Sequence, residues 1–157
     1  MKSKQHPSVA KLWKGFLLKN AEYNSCVIND LFYFCDNKKD ADDCAELVVN
    51  KIKQATAPSL WWFKKNNEKL PEPGDINIVT NWNGEAVAIV QTTKVNQVPF
   101  NKITPEFAVC EGEGDKSLAY WNKVHWDYYT REMKPFGEVP TKDMIVVCEY
   151  FKTIWVV

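Results

Sequence analysis

Glu111, Glu113 and Asp115 alternate with Gly112 and Gly114 at the head of the stretch EGEGDKSLAYWNKVH, residues 111–125. Carboxylates at that spacing can gather on one side of an extended turn, where they ligate a divalent cation, accept protons, or cap the helix that follows. The glycines let the chain turn tightly or bring backbone amides up to a ligand. A cation held here would activate water for hydrolysis of a phosphodiester or an amide. The nearest imidazole, His125, stands ten residues beyond Asp115, about three helical turns away. A centre built from this loop alone is therefore mostly carboxylate, and the sequence names no particular metal. Ser117 and His125 do not make a nucleophile and base pair, because more than two turns of one helix separate them by roughly 12 Å.

Lys53 and Thr56 offer a second locus, at a point where a helix has to stop before Pro58. Both side chains can point into a cleft there. A lysine desolvated in a cleft loses its proton more readily and serves as a base or an oxyanion partner; an exposed one merely complements the helix C-terminus. Gln91 continues the row Val87 and Ile89 along one face of a strand, so it points inward or into a pocket, where its amide needs partners. Trp61 begins the next element, and an exposed indole at that position is a stacking platform for a base. On the first helix, Trp13 and Phe16 support a different reading, a surface that docks a protein partner without catalysis.

The elements that position these residues follow from periodicity. Val9, Leu12, Trp13, Phe16 and Leu17 predict an amphipathic helix over 7–19. Asp40 as cap and the face Ala41, Cys44, Ala45, Val48 and Ile52 predict a second helix over about 41–53. Trp61 to Phe63 read as the start of an element whose adjacent side chains point opposite ways, as in a strand. Ile76, Ile78 and Thr80 alternate, Asn83-Gly84 signals a tight hairpin, and 86–93 returns. Thr104 and Pro105 start a short helix, and Asp115 caps a longer one to about Glu132, on which Leu118, Trp121, Val124, His125 and Tyr128 share a side. Residues 144–157 close the chain as a long strand. The expected architecture is α+β: one domain over 1–157, with 1–57 mainly helical and 58–157 a small barrel with inserted helices, since few hairpins remove their edges by closing.

Composition narrows the function. Twenty basic residues balance twenty acidic ones, so the chain lacks the basic excess that drives non-specific nucleic-acid binding. Arg131 is the sole arginine, which limits bidentate recognition of phosphate or guanine. No apolar run reaches the roughly 20 residues of a membrane span, and the start MKSKQHPSV has no signal-peptide core. Cys26, Cys35, Cys44, Cys110 and Cys148 include no CxxC pair, as expected of reduced thiols in a cytoplasmic protein.

KIKQAT at a helix end, the Asn83-Gly84 hairpin, VPFNKITPEFA, EGEGDKSLAYWNKVHWDYY and the closing VVCEYF together resemble the ASCH domain (activating signal cointegrator homology), in its bacterial branch marked by EGEGD-x-SL, over roughly residues 40–155. The resemblance implies a PUA-like mixed β-barrel with flanking helices, and a cleft between barrel and helix-end loop that binds RNA or a modified nucleotide or nucleoside. Some relatives are amidohydrolases acting on acylated cytidine without a cofactor, and others are ribonucleases that need a divalent cation. The amidohydrolase pattern uses a Lys, a Thr three residues later and a Glu on a barrel strand. Lys53 and Thr56 match it, while the strand position falls on Gln91, which can bind an amide but not act as a carboxylate base. Lys51 stands where the pattern has Gly, adding a possible phosphate contact, and Gln54 stands where it has Thr. The expected catalytic residues are thus Lys53, Thr56 and Gln91, with Lys51, Trp61, Glu111, Glu113, Asp115, Ser117, Trp121 and His125 as ligand contacts. The expected function is binding of RNA or a nucleotide, with hydrolysis and protein docking as alternatives.

Overall fold

The computed structural model describes residues 5–157; the first four residues of the MKSKQHPSV start lie outside the described residues. Helix α1 (Pro7–Lys19) has Pro7 in its first turn and buries Val9, Leu12 and Phe16. Strand β1 (Asp30–Phe32) leads to α2 (Lys38–Val49), whose cap is Asn37, accepting from the Asp40 amide. The cap lies three residues ahead of the expected Asp40 because asparagine is an equally good acceptor in that position. After β2 (Ala55–Thr56), the Trp61–Phe63 segment is helical, not a strand: it lies in α3 (Leu60–Asn66), which Ser59 initiates by accepting from the Trp62 amide. Strands β3 (Ile76–Thr80) and β4 (Ala86–Pro99), helices α4 (Pro105–Glu111) and α5 (Leu118–Met133), and strand β5 (Ile145–Val156) complete the chain. Among the described residues no helix is long and apolar enough to cross a membrane.

The strands form one open mixed sheet in the order β1-β3-β4-β5-β2. The expected barrel is therefore wrong. Closure would need β1 and β2 to pair, and they lie at opposite edges, β1 parallel to β3 and β2 antiparallel to β5. The edges are blunted another way: β1 has three residues and β2 two, so few backbone groups are left unpaired. The long β4 and β5 make the centre, with irregularities at Ile89/Val90 and Thr92/Lys94 that bend the pair.

Both faces of this sheet are covered. Helix α1 packs Val9, Leu12 and Phe16 on Ile76, Ile78 and Ile89. Cys44, Ala45 and Val48 of α2 meet Val79, Ala88, Val90 and Phe151. Phe107 and Ala108 of α4, with Trp121 and Tyr129 of α5, pack on Val146 and Cys148. Phe16 is thus core, 1% exposed, and of the two aromatics proposed for partner docking only Trp13 reaches the surface.

What positions the site is the approach of the α4–α5 turn to the end of α2. Gly112 ends α4 in the left-handed region (φ 72°), and a Cβ there would sit 2.6 Å from the Ile52 carbonyl oxygen. Gly114 (φ 57°) leaves the same kind of space for the Tyr120 ring. The glycines serve close packing as well as the turn. Gly112→Ala is expected to destabilise the fold by about 3 kcal/mol, from left-handed strain plus the clash with Ile52. Gly84→Ala, also at positive φ but with open space around it, should lose only about 1 kcal/mol. Urea denaturation of both variants checks the contrast.

Candidate functional site

Lys53 is carried inward by the way α2 ends. The Lys51 and Ile52 amides donate to the Val48 and Leu47 carbonyls, at 3.0 and 2.9 Å, with Lys51 itself left-handed (φ 59°). This is the Schellman arrangement, which favours glycine at the Lys51 position. It explains in physical terms why the resembling pattern has Gly where this chain has Lys51. The side chain of Lys51 stays exposed and does not line the cleft described below. The reversal continues with the Gln54 amide donating to the Cys110 carbonyl at 2.7 Å, which ties the α2 end to α4.

Lys53 and Glu111, each 1% exposed, form a buried ion pair of 2.6 Å, and Lys53 Nζ lies 3.5 Å from Glu113. The other oxygen of Glu111 accepts from the Trp121 indole at 3.1 Å and lies 3.2 Å from His125 Nε2. His125 Nδ1 is 2.9 Å from the Trp121 carbonyl, so both ring nitrogens face acceptors, and the imidazole stacks on the Trp121 ring at 4.0 Å. Cys44 donates to Glu113 at 2.9 Å.

Burial alone would discharge Lys53, but the attraction of Glu111 and Glu113 outweighs it and its pKa is raised. Lys53 is held as an ammonium, contrary to the expectation that desolvation makes it a base. Burial likewise pushes Glu111 up, yet Lys53 and His125 together hold it well below the usual carboxylate range. Glu113 goes the other way: burial and the Glu111 charge raise its pKa against the pull of Lys53. Two neighbouring carboxyls are thus pushed apart, one locked as an anion and one ready to carry a proton.

Beside this network lies a cleft of about 470 Å³. It is lined by the segment from Phe32 to Asp36, by His125, Tyr128, Arg131 and Glu132 of the α5 helix, and by Trp62 and Phe63 of α3. Asn77, Thr56 and Glu149 also line it. The lining carboxylates Asp30, Asp36, Asp40, Glu68, Asp75, Glu111, Glu113, Glu132 and Glu149 outnumber the cations Lys53, Lys69 and Arg131. Lys53 and Arg131 are moreover paired, the latter to Asp36 at 2.8 Å. Burial raises the Glu132 pKa to about 7, only partly opposed by the Ser59 hydroxyl, and burial also raises Glu149, which accepts from Thr92 at 2.8 Å.

Lys53, Thr56, Glu111, Glu113 and His125 all face this cleft. Trp121 stands behind them as the buried donor to Glu111. Gln91 is not in the cleft: it pairs with Ile76 and Lys152 inside the sheet. Trp61 turns away to donate to Glu138 at 2.9 Å, leaving the cleft to Trp62 and Phe63. Asp115 is exposed and accepts from the Ser117 amide, while Ser117, not Asp115, caps α5. The three carboxylates of the EGEGD turn therefore do not converge on one point.

A divalent cation of the ribonuclease type does not fit this carboxylate group. Ligand atoms of Glu111, Glu113 and His125 lie within 4.8 Å of one another, but both Glu111 oxygens are already engaged, one by Lys53 at 2.6 Å and the other by the Trp121 indole, and a cation would have to compete with this buried ion pair. Several lining residues are not singled out by local pattern, Tyr33, Phe63, Tyr128 and Glu132 among them, and for two others a signal exists. Asn77 interrupts the apolar run of β3 and Glu149 is the lone carboxylate in VVCEYF, and a polar residue inside a buried strand was the available signal. Register puts Glu149 directly across from Thr56.

Glu111→Gln leaves the Lys53 ammonium buried with one weaker partner, so an expected 3–5 kcal/mol of stability is lost, about the penalty for breaking a buried pair. Because Glu111 has a depressed pKa in the fold, its contribution is full above the ordinary carboxylate pKa and fades as pH falls towards the folded value. The gap between wild type and Glu111→Gln in denaturant melts should therefore be widest at neutral pH and narrow in acid.

Comparison with known proteins places this geometry in a family. The ASCH domain family model matches residues 30–155. The crystal structure of an ASCH domain from Lactobacillus crispatus JV V101 is similar with a TM-score of 0.89, at 29% identity over 97% of each chain. A protein from Enterococcus faecalis V583 is similar at 31% identity and a TM-score of 0.85, over 94% of this chain and 88% of that one. Among curated proteins none matches. With the family model covering most of its length and the fold shared nearly end to end, the chain belongs to the ASCH domain family, within the PUA-like superfamily.

Proposed function

We propose that the cleft binds the base and sugar of a nucleoside, free or modified, rather than a run of RNA backbone. The observation that carries this reading is the pairing of aromatic walls with an acidic lining. Tyr33, Trp62, Phe63 and Tyr128 border the space, and a base offers a π-face to such rings whatever its sequence. Asn77, Thr56 and Glu149 present an amide, a hydroxyl and a carboxyl to its edges, the groups that read bases by hydrogen bonding. A chain of phosphates, by contrast, needs lysines and arginines along its path, and here the carboxylates prevail. The cleft volume lies within the range of small-molecule sites.

Calorimetric titration with nucleosides, their 5′-phosphates and single-stranded RNA tests this. The nucleoside is expected to bind with affinity little changed by salt, and its 5′-phosphate more weakly. Tyr128→Ala should weaken nucleoside binding by about tenfold, the loss of one stacking partner. Tight RNA binding with steep salt dependence, and none by nucleosides, would overturn the proposal.

A second reading, hydrolysis of an acyl group from the exocyclic amine of the bound base, is favoured by one juxtaposition. Thr56 lies across from Glu149, whose raised pKa suits proton transfer, in a cleft that also holds the Lys53 ammonium. Water would add to the acyl carbon, a carboxylate would take its proton and pass it to the leaving amine, and Lys53 would steady the oxyanion. Acetylated cytidine should then be turned over without added metal, with Glu149→Gln slowing the rate at least a hundredfold. Gln91→Glu, at a position that does not line the cleft, should leave it unchanged. No turnover by the wild-type chain dismisses this reading while leaving nucleoside binding standing.

A further inference from the structure

One cluster at the rim of the cleft has no part in nucleoside binding and shares only Glu113 with the Lys53 network. Cys35 Sγ and Cys44 Sγ lie 3.8 Å apart, and Cys44 Sγ lies 2.9 Å from Glu113 Oε1. The three side chains come from three segments: the turn before α2, where Cys35 is left-handed (φ 66°), the inward face of α2, and the α4–α5 turn. Their ligand atoms all lie within 4.8 Å of one another.

We propose that Cys35, Cys44 and Glu113 form a binding site for one thiophilic divalent cation of the Zn²⁺ class, with its remaining position open to the cleft. The sulfur separation equals the edge of a tetrahedron about a zinc ion with sulfurs at about 2.3 Å, which is roughly 3.8 Å. Two thiolates and one carboxylate select a borderline-soft ion over magnesium or calcium, which prefer oxygen alone. Cys35 and Glu113 line the cleft while Cys44 is buried behind them, so the free position faces the space and not the core. The neighbouring set of Glu111, Glu113 and His125 is less suited, because both Glu111 oxygens are already engaged, one by the buried Lys53 ammonium and the other by Trp121 and His125. Glu113 is different: its Oε1 receives only the Cys44 thiol proton, which the metal would replace. The balance is simple. With Glu113 ionised, as it is when it accepts the Cys44 thiol, the cation takes the place of two thiol protons, one from each cysteine, and both leave to solvent. Lys53, 3.5 Å from Glu113, offsets the negative charge of the thiolates.

The test uses the full chain, reduced and stripped with a chelator. Titration with Co²⁺ is expected to saturate at one equivalent, with thiolate-to-cobalt charge-transfer absorption and the visible bands of a tetrahedral ion, and Zn²⁺ should displace it. Calorimetry of Zn²⁺ binding in buffers of different ionisation enthalpy should count close to two released protons. Cys35→Ser should roughly halve the charge-transfer band and weaken Zn²⁺ binding at least about tenfold, since loss of a direct ligand exceeds the loss of an outer partner. Cys110→Ser should change neither. Because Cys44 is buried in the core, the partly exposed Cys35 carries the test, with circular dichroism verifying its fold. Absence of the charge-transfer band, or a band and affinity unaltered by Cys35→Ser, would overturn the proposal. So would oxidation to a Cys35–Cys44 disulfide as the only reaction of these thiols.

Discussion

The buried pair of Lys53 and Glu111 sets the terms for everything around it. Removing two charges from water costs several kcal/mol per ion, recovered only where the geometry is close and each remaining donor and acceptor is satisfied. Here that requirement is met by a 2.6 Å contact, with Trp121 and His125 on the second Glu111 oxygen and Glu113 beside the ammonium. The constraint reaches outward into the backbone. α2 has to end in a left-handed turn at Lys51 so that Lys53 points in, and α4 has to end at Gly112 so that its turn can lie against Ile52. The backbone bond from Gln54 to Cys110 locks the two ends together.

The same electrostatics sorts the cleft into fixed and titrating groups. Glu111 is an anion and Lys53 a cation over the ordinary pH range, because each holds the other. Glu113, Glu132 and Glu149 lack an equally close cationic partner, so burial dominates and their carboxyls keep a proton to higher pH. A surface of this kind presents hydrogen-bond donors and acceptors in profusion and little net attraction for phosphate. That combination suits the edges and face of a base more than the backbone that links bases.

Much of the fold was legible in the chain. The 3.6-residue pattern of α1, the Thr104-Pro105 start of α4, the Asn83-Gly84 hairpin and the long closing strand all correspond to observed elements, because local propensity and final packing agree there. Errors fell where they compete. Trp61 to Phe63 carry strand-like aromatics, but the Ser59 hydroxyl caps a helix; and a chain of hairpins suggested closure, whereas β1 pairs in parallel with β3 and leaves the sheet open. The pairing partner of a three-residue strand is a long-range choice that no local pattern encodes.

For the site, residue types and local spacing were enough to mark the EGEGD stretch and to raise Lys53 and Thr56, but a lysine at a helix stop is ordinary C-terminal complementation and its place in the site rested on the resemblance. They were enough, too, to tie those motifs to the ASCH family. What only the tertiary structure decided is how the parts meet. It turned Asp115 and Trp61 away, kept Gln91 within the sheet, and brought Glu149 across from Thr56 and Asn77 into the same cleft. It also reversed the expected chemistry of Lys53, because burial lowers a lysine pKa only until carboxylates arrive from a helix 58 residues further along the chain. Charge state in a protein interior is a property of neighbours, and neighbours of that separation are assigned by the fold.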